Sequence, residues 1–187
     1  MSKPRLITTI LLAACLFGSS VLWTQDEEVV QAKVYLSRNK LHAGETFKLA
    51  VQLKINGGWH INANPVNDEF LLPTLLSIEE NDKVRVVQTA YPKPQLGKFE
   101  YAEAELQIYA GEAFLGALLK AEDNLLPGTF LISGLINYQA CNDRFCLPPK
   151  EIKLEIPVEV VSISEPTEDI AQEIFSKIEF PKVASSI

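Results

Sequence analysis

Two cysteines in the last third of the sequence are the residues with the clearest chemical potential. The run "YQACNDRFCLPP" extends from Tyr138 to Pro149 and places Cys141 and Cys146 on either side of the short segment "NDRF". A pair with this spacing can form a structural disulfide, hold a metal ion or act as a redox-active dithiol. The surrounding sequence bears on all three possibilities.

Metal binding is the weakest of these interpretations. Structural zinc sites use four Cys or His ligands, and downstream of the N-terminal segment the sequence offers Cys141, Cys146 and two histidines, His42 and His60, without finger-like spacing. Met1 is the single methionine, which argues against a thioether copper site. We expect neither a metal nor another cofactor.

A structural disulfide and a redox-active pair both remain open on spacing alone. Closing a ring of about six residues stabilises a fold by roughly 2 kcal/mol, against nearly 5 for about 100 residues, so this is a poor location for a staple. Thiol–disulfide exchange needs an accessible sulfur and a second sulfur nearby, and a hairpin tip would expose both. Arg144 favours a thiolate and Asp143 opposes it, while Pro148 and Pro149 restrict the exit strand.

The elements around the pair read as β-strands from about residue 29 to residue 162. Apolar and polar residues alternate in "ETFKLAVQLKI" and "EIKLEIPVEV", a pattern typical of half-buried strands. Pro157 predicts that the second of these strands lies at a sheet edge or has a bulge. Seven or more short strands separated by turn signals such as "YPKPQLG", without a helix, predict an all-β, immunoglobulin-like β-sandwich over residues 29–162.

The two ends of the sequence differ from this middle part. Residues 163–187 are predicted to be a linker with a short amphipathic helix, because Ile170, Ile174 and Ile178 recur every four residues. Residues 1–23 resemble a signal peptide; a retained anchor using 6–23 as a membrane tether, or lipid modification at Cys15 in "LAAC", are the alternatives. All three predict a periplasmic or otherwise extracytoplasmic domain, where disulfides persist. The net charge of −7 argues against nucleic-acid binding.

The segment Gly128–Val160 resembles the cysteine-bearing hairpin of the DsbD N-terminal periplasmic domain family, the thiol:disulfide interchange proteins. The strongest match is Tyr-Gln-x-Cys, a short polar loop, Phe-Cys, one residue and then Pro-Pro. Upstream, "GGWHINAN" and "LLPTLL" are also similar to that family. The resemblance extends over about residues 30–161.

This resemblance implies an immunoglobulin-like module that relays electrons between thioredoxin-like or membrane-linked thiol–disulfide carriers and periplasmic thiol proteins. It implies protein-disulfide reductase-type activity without a cofactor, because the electrons travel in sulfur. Cys146 would bond to partners and Cys141 would resolve the mixed disulfide. The residues expected to cap or flank this pair are Phe99 and, second, Tyr101 in "GKFEYAE", together with His60, Tyr138 and Phe145.

Two departures from the family pattern qualify the expectation. The loop between the cysteines is one residue shorter than in the best-known member, and the sequence ends at Ile187 without the membrane and thioredoxin-like domains of DsbD. We therefore expect a free-standing relative whose electron source is a separate protein. The alternative is a non-catalytic β-sandwich binding or adaptor module in which the hairpin disulfide is structural.

Overall fold

The structure is a computed structural model that describes residues 28–181. The predicted signal or anchor segment 1–23, with the tether 6–23 and Cys15, lies outside the described residues. Between residues 28 and 181, no helix has the length and apolar character needed to cross a membrane.

The described chain consists of antiparallel strands and one short helix. In order, they are β1 (Val30–Leu36), β2 (Thr46–Ile55), β3 (His60–Asn62), β4 (Leu75–Ile78), β5 (Val84–Ala90), β6 (Gln95–Gly97), β7 (Leu106–Tyr109), β8 (Glu112–Ala121), β9 (Gly128–Tyr138), β10 (Ala140–Cys141), β11 (Lys150–Val160) and α1 (Gln172–Phe175).

These strands form an immunoglobulin-like β-sandwich, which confirms the predicted fold class. One sheet has the order β1-β2-β8-β5, a second has β11-β9-β4, and a third has β10-β3-β7-β6. The long β9–β11 ladder pairs Tyr138 with Lys150 at one end and Gly128 with Val160 at the other. Because β10 follows β9 after a single residue, the second and third sheets are joined directly in sequence.

The core lies between the inner faces of the sheets. Alternate residues of β2, including Leu49, Val51 and Leu53, are fully buried against Ile132 and Ile136 of β9. This follows from the period-two pattern in the sequence, because alternate side chains of a strand point to the same face. Burial of such aliphatic side chains, at about 25 cal/mol per Å² of apolar surface, supplies most of the stabilisation.

Pro157 lies at a sheet edge, as predicted. β11 is the outermost strand of its sheet, and its register with β9 is continuous, with Pro157 opposite Leu131. A proline is tolerated at an edge because its missing N–H faces away from the ladder. The segment "YPKPQLG", by contrast, was expected to be a turn, and its last three residues form β6 instead.

The segment after β11 packs on the sandwich. Ile174, Phe175 and Ile178 cover the outer face of β2 and β8, where Gly116 leaves room for the side chains of Ile178 and Phe180. The predicted helix is present, but it is limited to Gln172–Phe175 because Ala171 adopts a left-handed conformation immediately before it.

Candidate functional site

The cysteine hairpin begins where the chain passes from one sheet to the next. β9 pairs with β11 as far as Tyr138, and after Gln139 the chain continues as β10 beside β3. The side-chain amide of Gln139 donates a hydrogen bond to the Leu147 carbonyl (3.2 Å), which ties this crossing point to the returning strand. The hairpin is therefore anchored to a rigid sheet on both sides.

Backbone geometry brings the two cysteines together. Leu147 N–H donates to Ala140 O (2.8 Å) and Asn142 N–H donates to Phe145 O (3.0 Å). Cys141 and Cys146 face each other between these two hydrogen bonds, as a non-hydrogen-bonded pair. In antiparallel sheets the side chains of such pairs lie closer together than those of hydrogen-bonded pairs. Their Cα atoms are 3.9 Å apart and their sulfurs form a disulfide with an S–S distance of 2.00 Å.

The tight loop is closed by a side chain. Asn142 Oδ1 accepts hydrogen bonds from the backbone N–H groups of Arg144 (2.9 Å) and Phe145 (3.0 Å). An Asn side chain that binds the backbone two residues ahead substitutes for a backbone turn. Asp143 and Arg144 are therefore held at the exposed tip.

The two cysteine residues differ in exposure, which corrects the expectation that a hairpin tip exposes both. Cys141 is fully buried (0% exposed), whereas Cys146 is half-buried. The physical reason is the position of β10, which is paired with β3 on one side and bridged to Cys146 on the other. Within residues 28–181, no further strand pairs with Cys146. Of the two cysteines, Cys146 is therefore the one with solvent-exposed surface.

An aromatic cluster lies beside Cys141. His60 is the residue directly opposite Cys141 in the β3–β10 pairing. Phe99 stacks on the His60 ring (centroids 4.0 Å apart), and Tyr101 stacks on Phe99 (5.5 Å). The Tyr101 hydroxyl lies 2.9 Å from His60 Nε2. The structure thus brings His60, Phe99 and Tyr101 together next to the disulfide strand.

Gly97 makes room for this cluster. A Cβ atom added to Gly97 would lie 2.6 Å from Phe99 Cζ, which is closer than side-chain atoms approach. Phe99 therefore depends on a glycine two residues before it. The sequence offered no signal for this role.

Burial and one nearby charge set the electrostatics of the cluster. Burial lowers the pKa of His60, and the carboxylate of Asp143 offsets part of that shift. Burial also raises the pKa of Tyr101, and Asp143 adds to this effect. Since both shifts favour the uncharged form, the imidazole and the phenol are neutral near pH 7.

The other two predicted flanking residues lie apart from the cluster. Phe145 is at the hairpin tip, 52% exposed, with its ring edge-on to Trp59 (centroids 5.9 Å apart). Tyr138 is buried in the core, and burial raises its pKa. The contact between Trp59 and Phe145 was not predicted; it connects the hairpin to the residue before His60.

The described residues contain no group of three or more His, Cys, Asp or Glu side chains positioned to hold a metal ion.

The fold and the site together define an immunoglobulin-like domain with a disulfide-bonded cysteine hairpin at a sheet edge. The chain belongs to the family described as thiol:disulfide interchange protein DsbD, N-terminal, whose profile matches residues 26–157. Family membership and the Cys141–Cys146 disulfide together support a thiol–disulfide interchange module. A search of curated proteins finds no significant match.

Three solved structures resemble the chain at low identity. The N-terminal domain of DsbD from Neisseria meningitidis in the reduced form is 16% identical, with 69% of this chain and 83% of that chain covered and a TM-score of 0.41. The complex of the DsbD and PilB N-terminal domains from the same organism gives 16% identity, coverage of 58% and 73%, and a TM-score of 0.40.

The third is the N-terminal periplasmic domain of ScsB from Proteus mirabilis. It is 13% identical, has a TM-score of 0.50, and 83% of this chain is covered. The alignment spans 54% of the ScsB chain, about half of its length. At this identity the similarity extends to the fold alone.

Proposed function

We propose that the protein is an extracytoplasmic thiol–disulfide interchange module that passes electrons through Cys141 and Cys146 to or from thioredoxin-like partners. The observation that carries the proposal is the unequal burial of the two cysteines, with Cys146 half-buried and Cys141 fully buried. A relay needs one sulfur that a partner can reach and a second sulfur that only the first can reach. A purely structural disulfide needs neither.

In the proposed exchange, a partner thiolate attacks Cys146 Sγ and forms a mixed disulfide, while Cys141 leaves as a thiolate with the bonding electron pair. A second partner thiolate then attacks the partner's own sulfur in that mixed disulfide. Cys146 leaves with the electron pair, the partner becomes a disulfide, and this protein holds two reduced cysteines. The reverse sequence donates two electrons. No cofactor is required.

The cap role proposed for Phe99 rests on its stacking against His60, the residue opposite Cys141. Tyr101, 39% exposed, lies at the outer side of the same stack. In this role, displacement of the two rings would widen a partner's approach to the cysteine pair. The complex of a DsbD N-terminal domain with a PilB domain is the precedent for a protein partner. The periplasmic ScsB domain is the precedent for an extracytoplasmic location.

The reduction potential of the pair tests the proposal. The pure protein is equilibrated in glutathione buffers, and the fraction of Cys141–Cys146 disulfide is measured by mass shift after thiol alkylation. We expect a potential within the range of exchange proteins, about −120 to −270 mV. A potential below about −300 mV, typical of structural disulfides, would contradict the proposal.

Single-cysteine variants test the separate roles. The probe is a thioredoxin-like domain whose own resolving cysteine is replaced by alanine and whose remaining thiol is activated. Cys141→Ala should form a stable mixed disulfide with it, because Cys146 is reachable and no longer resolved. Cys146→Ala is the matched control and should form little adduct, because Cys141 is buried. Equal adduct formation would contradict the assigned roles.

The complete burial of Cys141 also favours a second candidate, a binding module in which the disulfide is a local staple. The double variant Cys141→Ala, Cys146→Ala separates the two functions. A staple predicts full activity in cells with a lower melting temperature. A relay predicts loss of activity whether or not the melting temperature changes.

A further inference from the structure

His60 occupies a position that the interchange function alone does not explain. It is buried, 3% exposed, and it lies directly opposite Cys141 in the antiparallel pairing of β3 with β10. Directly opposite residues project from the same face of a sheet, with their Cβ atoms roughly 4.5 to 5.5 Å apart. The His60 imidazole and the Cys141 side chain therefore project from the same face of neighbouring strands, and both residues are buried.

We propose that His60 is the general base that removes the proton of the Cys141 thiol when Cys141 resolves the mixed disulfide on Cys146. This inference rests on the proposed function, in which Cys146 bonds to the partner. A buried thiol ionises poorly because its thiolate is desolvated. A proton acceptor buried beside the Cys141 thiol would favour its ionisation, because the proton moves to a neighbouring base and the thiolate is stabilised by the resulting cation.

The hydrogen bond to Tyr101 supports the assignment. His60 Nε2 lies 2.9 Å from the Tyr101 hydroxyl. In the tautomer in which Nε2–H donates to the Tyr101 oxygen, Nδ1 carries a free lone pair and can accept a proton. Stacking against Phe99 fixes the plane of the ring. A nucleophile, a base and a group that orients the base form the arrangement that activates nucleophiles in many enzymes.

The neighbouring groups are compatible with a base that is free at neutral pH. The charged or titratable groups that act on the His60 ring in the described structure are Asp143 from the hairpin, Tyr101 from the cap segment and Cys141 from β10. Burial lowers the pKa of His60. The imidazole is therefore unprotonated at pH 7 and able to take up the thiol proton.

The resolving step balances as follows. Nδ1 of His60 takes the proton from Cys141, and the resulting thiolate attacks Cys146 Sγ. The bond between Cys146 and the partner breaks, and the partner sulfur leaves with the electron pair. The cysteine pair is oxidised to a disulfide and the partner sulfur is reduced to a thiolate. The imidazolium then releases its proton to the departing thiolate or to solvent.

The experiment uses the reduced protein together with dithiobis(nitrobenzoic acid). Cys146 releases a first thionitrobenzoate as it forms the mixed disulfide, and the attack by Cys141 releases the second. Stopped-flow absorbance gives both rates between pH 5 and pH 9. General bases contribute about 100-fold or more, so His60→Gln should slow the second release by about 100-fold at pH 7 and leave the first unchanged.

The pH profile separates catalysis from packing. The unmodified protein should reach a plateau above the pKa of His60, whereas the rate of His60→Gln should rise steadily with pH as the thiol ionises unaided. Tyr101→Phe, which keeps the stacked ring and removes the hydroxyl, should slow the second release less. His42→Gln is the matched control because His42 lies beside Glu165, near the Val160 end of β11 and remote from the hairpin.

The outcome of this experiment distinguishes failure of the His60 proposal from failure of the interchange function. A normal first release followed by an unchanged second release in His60→Gln would overturn the role of His60 and leave the interchange function intact. If the unmodified protein instead retained two thionitrobenzoate adducts without forming its disulfide, the proposed function itself would fail.

Discussion

Reduction of the Cys141–Cys146 disulfide should lower the free energy of unfolding by about 2 kcal/mol. The two cysteines are separated by 5 positions in sequence, so the bond closes a small ring and restricts the unfolded chain little. The hairpin also keeps its own hydrogen bonds, from Leu147 N–H to Ala140 O and from Asn142 N–H to Phe145 O. For a domain of this size, the loss corresponds to a decrease in Tm of about 4 to 8 °C.

Urea denaturation of the oxidised protein and of the protein reduced with a phosphine measures this difference. Both forms should unfold with similar denaturant dependence, because they bury nearly the same surface. The double variant Cys141→Ala, Cys146→Ala is the control, and the phosphine should not alter its stability. The difference between the two forms of the unmodified protein is then due to the disulfide alone.

The same quantity can be obtained independently from reduction potentials. By linkage, a difference of about 2 kcal/mol makes the dithiol about 40 mV more reducing in the folded protein than in the urea-unfolded chain. A measured destabilisation above about 4 kcal/mol would refute the reasoning, because the ring is too small to account for it. In that case the folded structure itself would favour the disulfide strongly, as expected of a staple.

Three further predictions concern groups around the site and the packed C-terminal segment. Phe99→Ala should speed reduction of the Cys141–Cys146 disulfide by glutathione about 2- to 10-fold, because an aromatic stack contributes about 0.5 to 1.5 kcal/mol. Gly97→Ala should have the same effect because its side chain would displace the Phe99 ring. Phe180→Ala is the control. Arg38→Ala should destabilise the fold by about 1 kcal/mol and increase protease cleavage after β11, because Arg38 pairs with Glu45 (2.7 Å) and Asp169 (2.8 Å); an unchanged cleavage pattern would contradict this. Burial lowers the pKa of His60 in the folded protein. As pH falls below about 6.5, the unfolded chain therefore binds more protons than the folded protein, and the free energy of unfolding should decrease. Equilibrium denaturation of His60→Gln should lack that decrease.

The strand architecture was predictable because it depends on local alternation. In β2 and β11 the apolar side chains recur every second residue, and this periodicity alone assigns one face to the core. Pro157 could be placed at an edge from its missing N–H alone. These inferences require no knowledge of distant contacts.

The surroundings of the disulfide were not predictable in the same way. The burial of Cys141 depends on its pairing with His60, a residue far away in sequence. The position of the Phe99 ring depends on Gly97, because a side chain at residue 97 would overlap the ring. The short helix depends on the left-handed conformation of Ala171, a residue type that rarely adopts it. The first feature is a contact between distant strands and the other two are local backbone and side-chain arrangements, and sequence periodicity encodes none of them.

The difference between the two cysteines follows from a single change in backbone direction. If β9 continued along β11 beyond Tyr138, both cysteines would lie at a free hairpin tip. Instead the chain crosses after Gln139 to pair with β3, and this pairing buries Cys141 beside His60 while Cys146 stays at the edge. The pairing that hides one sulfur from partners also supplies the imidazole that this sulfur needs in order to ionise. In the proposed exchange, the shielding and the activation of the resolving cysteine therefore have the same structural origin, and a variant that loosens β10 from β3 should both expose Cys141 and slow its attack on the mixed disulfide.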